Sequence, residues 1–119
     1  MRSAYGLIGL LAAASAVAGE VEVVGVEIRA QQGEDRFAFD VRLSHADTGW
    51  DHYADGWRVL DMDGSELGMR VLYHPHVEEQ PFTRSLSGVR IPESTKQVQI
   101  QARDLPAGWN QETMVVTLP

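Results

Sequence analysis

An all-β fold, an antiparallel two-sheet sandwich, is what this sequence predicts, on three observations. Apolar and polar residues alternate with a period of two through most of the chain after residue 20. Clusters of Gly, Pro, Asp and Asn interrupt that alternation often enough to leave about seven short strands in roughly 100 residues. The third observation is negative: no segment carries the 3.6-residue apolar stripe of an amphipathic helix of useful length. A small β-barrel is the alternative closure of the same strands.

The chain begins with Arg2 and an uncharged run over residues 4–18, with Leu7-Ile8-Gly9-Leu10-Leu11 at its centre and Ala16-Val17-Ala18 at its end. A basic start, a short apolar centre and a small-x-small finish predict a secretory signal peptide over residues 1–18, cleaved after Ala18. A membrane span needs about 20 apolar residues, and this run is shorter and meets Glu20 and Glu22. Removing 18 of the 119 residues leaves 101, enough for one domain over residues 19–119 with a modest core.

In the first strand Val21 and Val23 change phase to Val24, Val26 and Ile28 beside Gly25, which predicts a bulge. After a turn over residues 31–35, Phe37, Phe39, Val41 and Leu43 alternate with polar residues as the clearest half-buried strand. Residues 45–56 read as a long polar connection, residues 57–62 as strand three, and Asp63-Gly64 as a hairpin turn. Leu67, Met69, Val71 and Tyr73 make strand four. Two prolines break the 74–85 segment, and a fifth strand over residues 86–91 is expected to be irregular at Gly88. Val98, Ile100 and Ala102 form the sixth, residues 105–112 a loop, and Met114, Val116 and Leu118 the seventh. Met69 and Met114 alternate inward and read as core.

Seven strands at this spacing resemble the immunoglobulin and fibronectin type III architecture. The phrases His74-Pro75-His76-Val77 and Glu79-Gln80-Pro81-Phe82-Thr83-Arg84-Ser85 are also similar to those of small exported proteins of an uncharacterised family. The chain has no cysteine, so the resemblance is to the sandwich without its disulfide, and no lipidated N-terminal cysteine is available.

Losing Arg2 with the leader leaves 9 basic and 17 acidic residues, a formal charge of −8. Such a surface disfavours nucleic acid and anionic lipid, whose binding depends on cations set against phosphates. An exported, periplasmic or extracellular protein that binds a protein or small ligand is the class that remains.

If successive strands reverse, connections one, three and five lie at one pole and connections two, four and six at the other. The second set, residues 45–56, 74–85 and 105–112, holds all four histidines and most of the ring and acidic side chains outside strands. This pole is the expected working end of a non-catalytic binding module, with Trp50, Asp51, Tyr53, Glu78, Glu79, Phe82, Arg84 and Trp109 as contact residues. The alternative is a copper or zinc protein. In an extended segment His74 and His76 project to one side, and His45 or His52 would complete the set. Arg84 is expected to pair with Glu78, Glu79 or an Asp of the 45–56 connection.

Asp47-Thr48-Gly49 resembles the catalytic tripeptide of aspartic proteases at three residues, but such a dyad needs a second equivalent carboxylate. A turn whose Asp side chain accepts backbone N–H groups is the reading preferred here. Enzymatic turnover is not expected.

Overall fold

A computed structural model describes residues 20–33 and 35–119. The expected signal peptide lies outside the described residues. Eight strands follow in order: β1 (Glu22–Ala30), β2 (Arg36–Ser44), β3 (Tyr53–Leu60), β4 (Glu66–Val71), β5 (Phe82–Arg90), β6 (Gln97–Leu105), β7 (Gly108–Trp109) and β8 (Met114–Thr117). They form two open antiparallel sheets, β1-β2-β5 and β4-β3-β6, with β7 and β8 both on the far edge of β6. The sheets pack face to face as a sandwich, and the small barrel is excluded because neither sheet closes.

The alternation read from the sequence fills the core. Val26 and Ile28 of β1, Phe37, Phe39, Val41 and Leu43 of β2, Trp57 and Val59 of β3, and Val98, Ile100 and Ala102 of β6 are all buried. The phase flip in β1 is a register shift between Val23 and Gly25. In β5, Gly88 takes φ 71°, a left-handed conformation natural to glycine, where the ladder with β2 shifts. The β3–β4 turn closes with Asp61 Oδ1 accepting the N–H groups of Asp63 and Ser65, both at 2.9 Å.

Three features differ from the sequence reading. Strand three starts at Tyr53 instead of residue 57, because β3 is central and buried on both faces. Asp55 survives there by pairing with Arg103 at 3.2 Å, and Arg58 and Arg103 stack on Trp109 with guanidinium carbons 3.8 and 5.0 Å from its ring centre. Polar side chains that find partners across the sheet hide a buried strand from a periodicity count. Strand five likewise begins at Phe82, whose ring is buried. The expected seventh strand is β8, and the expected 105–112 loop contains a further two-residue strand, β7, which pairs with the end of β6. Met114 packs on the core as expected, whereas Met69 approaches Gly56 and stays outside the core cluster.

Candidate functional site

The pole formed by residues 45–52, 72–81 and the end of β6 contains a buried chain of acids and imidazoles. His45 follows directly from the last residue of β2, and its backbone N–H donates to Gln80 Oε1 at 2.9 Å. Its ring is held at both nitrogens, with Nδ1 2.6 Å from Asp47 Oδ1 and Nε2 3.0 Å from Asp104 Oδ2. His52 Nε2 reaches the same Asp104 oxygen at 3.2 Å, and the two imidazoles meet edge to face with ring centres 4.8 Å apart. The side chains of His45, Asp47 and Asp104 are 1%, 0% and 3% exposed, that of His52 34%.

Local structure explains the convergence. Thr48 N–H donates to the His52 carbonyl at 2.9 Å and His52 N–H to the Gly49 carbonyl at 3.1 Å, a tight turn with Gly49 at φ 155°. That turn folds His52 back over His45 and leaves Trp50 exposed at its tip. Asp104 continues the inward series Val98, Ile100, Ala102 of β6, which places a carboxylate at a core position two residues beyond the last apolar one.

A neutral imidazole has one N–H to give. With that N–H on Asp47, the His45 Nε2 lone pair faces an Asp104 oxygen, so two acceptors oppose each other unless a cation, a proton or a metal ion, stands between them. His45, His52 and Asp104 each offer one ligand atom, and these atoms lie within 4.8 Å of one another. Their separations of 3.0 and 3.2 Å along two edges are close to the roughly 3.3 Å edge of a tetrahedron built on metal–ligand bonds of about 2.0–2.1 Å. Asp47 behind His45 has the place of the outer carboxylate that orients a metal-ligating imidazole.

The histidine pair singled out from the sequence lies beside this group and not in it. His76 is buried and stacks on Phe82 at 4.1 Å, and its Nε2 is 3.0 Å from Arg84 Nη2, so its lone pair faces a guanidinium. Burial first, then the charges of Arg84 and His74, holds His76 below the usual histidine range. Its Nδ1 is buried without a hydrogen-bond partner. His74 is exposed, its ring centre 4.9 Å from that of His76. The two groups share hydrogen bonds to Asp47, whose Oδ2 accepts the His76 backbone N–H at 2.7 Å.

Among the expected contact residues, Trp50, Asp51, Glu78 and Glu79 are exposed at this pole, and Arg84 pairs with Glu79 at 3.2 Å as anticipated. Tyr53 and Phe82 are strand residues buried in the fold, where a partner does not reach them. Trp109 covers the outer face of the larger sheet under two arginines. Asp104 escaped the sequence reading; the signal was its place in the β6 alternation, where a polar residue in an inward position asks for a partner.

No family model matches this chain, and no solved structure matches it. One relative is a protein of Halomicrobium mukohataei named "Putative lipoprotein", 39% identical over 97 residues, which are 82% of this chain and 47% of that protein. The chain thus spans about half the length of the relative it matches. Among the described residues no helix is long and apolar enough to cross a membrane.

Proposed function

We propose that this chain is a metal-binding domain of an exported protein and that it holds one zinc or copper(II) ion through His45, His52 and Asp104. The observation that carries the reading is the buried Asp47–His45–Asp104–His52 chain, in which two imidazole nitrogens converge on one carboxylate oxygen. Nitrogen and oxygen donors of this kind suit zinc and copper(II). His74 and His76, the ligands first expected, give way to this set because Arg84 faces the His76 lone pair.

Export is supported by the leader-like residues 1–18 and by the name of the relative. Export is the part of that name carried over to this chain. The strand order β1-β2-β5 against β4-β3-β6-β8 supports the resemblance to the immunoglobulin and fibronectin type III architecture. A recognition role for the same pole is supported by Trp50 and Tyr73, 66% and 76% exposed among acidic neighbours. The acidic balance makes a protein or small ligand, and not nucleic acid, the partner of such a rim. We assign no turnover, since both oxygens of Asp47 are engaged in hydrogen bonds within the fold.

Zinc and copper(II) titrations of purified, metal-stripped protein test the reading. One equivalent should bind with micromolar or tighter affinity, about −8 kcal/mol or more favourable. Binding should disappear in a His52→Ala/Asp104→Ala variant and persist in His74→Ala/His76→Ala. Loss confined to the second variant would return the site to the proline-flanked pair, and no binding by the unaltered chain would end the metal reading.

A further inference from the structure

We infer that Asp47 is a positioning residue that couples occupancy of the metal site to the order of residues 74–80; the inference rests on the metal reading above. The side chain of Asp47 has no exposure, and its oxygens have three uses. Oδ1 accepts from His45 Nδ1 at 2.6 Å and from the Ala54 N–H at 3.0 Å, while Oδ2 accepts from the His76 N–H at 2.7 Å. One carboxylate therefore touches the candidate ligand His45, the start of β3, and the proline-flanked segment.

The segment is held at a second point through Gln80. Gln80 Oε1 accepts the backbone N–H of His45, and Gln80 Nε2 donates to the His76 carbonyl at 2.9 Å, closing residues 76–80 into a loop that hangs on His45 and Asp47. Residues 74–80 carry exposed His74, Val77, Glu78 and Glu79.

Two consequences follow. With its Nδ1–H fixed on Asp47, His45 presents Nε2, and only Nε2, toward Asp104 and His52. A cation bound at Nε2 polarises the ring and strengthens the Nδ1–H···Oδ1 bond, which immobilises the carboxylate whose other oxygen holds His76. By linkage, what an occupied site does for the loop, an ordered loop does for metal affinity by the same factor. The rim around the site is then stiff when metal is bound and looser when it is absent.

Amide hydrogen exchange and zinc titration on the 119-residue chain test this. Zinc should slow exchange of the His76 and Ala54 amides by about fivefold or more, within the usual range of coupling between two sites. Asp47→Asn should bind zinc about 10–100-fold more weakly, the typical loss on removing an outer-sphere partner, and zinc should no longer slow the His76 amide. His76→Ala, which removes the ring but keeps the backbone donor, should keep both zinc affinity and the coupling. Unchanged His76 exchange on zinc binding by the unaltered chain overturns the inference while leaving the metal reading intact, as does Asp47→Asn binding zinc like the unaltered chain. Absence of any zinc binding overturns both.

Discussion

Replacing Asp104 by alanine should be among the most damaging single changes at the histidine pole, even with no metal present. Its carboxylate is 3% exposed as a side chain and serves two imidazoles, His45 Nε2 at 3.0 Å and His52 Nε2 at 3.2 Å. Asp104→Ala removes the carboxylate that both Nε2 atoms face and leaves the buried His45 ring with one carboxylate, Asp47, in place of two. Leaving a buried hydrogen-bonding group without its partner typically costs about 1–3 kcal/mol. The upper end, about 3 kcal/mol, applies because two imidazoles lose the same oxygen. For a domain of this size each kcal/mol moves the unfolding midpoint by about 4–8 °C, so the variant should melt about 12–24 °C lower in EDTA. Urea unfolding gives the free energy and calorimetry the midpoint. Zinc at 100 times its Kd should add about 2.7 kcal/mol to the unaltered chain and nothing to the variant. A metal-free Asp104→Ala within about 1 kcal/mol of the unaltered protein would refute the reasoning on the buried network. Equal zinc stabilisation of both proteins would remove Asp104 from the ligand set.

Two further outcomes are expected. At Gly68 an added Cβ would lie 3.1 Å from Leu86 Cδ2 and 3.3 Å from Val89 Cγ2, in the space between the sheets, so Gly68→Val should destabilise by about 1–3 kcal/mol in urea unfolding. Burial, Arg84 and His74 keep His76 neutral in the fold, whereas in the unfolded chain it takes up a proton below about pH 6.5. Stability should therefore fall as pH drops from about 6.5 toward the folded-state value, by at most about 1.4 kcal/mol per pH unit from this group. His76→Leu should flatten the dependence over that window, and an unchanged slope would exclude His76 as its source.

Much of the fold was legible because sheet burial writes itself as alternation. Phe37, Phe39, Val41 and Leu43 announce a strand with one wet face, and the phase change at Gly25 announces a bulge. Alternation fails where both faces are covered. The segment Tyr53-Ala54-Asp55-Gly56 looks like loop, yet it is central strand, since Arg103 neutralises Asp55 and the Arg58–Trp109–Arg103 stack roofs the outer face. Arg103 lies 48 positions from Asp55 along the chain, and no local pattern reveals the pairing.

The sequence by itself determined an all-β sandwich, the strand reversals that send the long connections to one pole, and the surplus of acid that sets its electrostatic character. Each is a local or compositional property, repeated along the chain and readable one segment at a time. Only the tertiary structure decided which imidazoles meet. His45 and His52 share Asp104 because the end of β6 and a tight turn after β2 are brought together by packing of two sheets, while Arg84 claims His76 from a neighbouring strand. Ligand geometry depends on side chains far apart in sequence and within a few ångströms in space, and such distances are fixed by packing rather than by residue order.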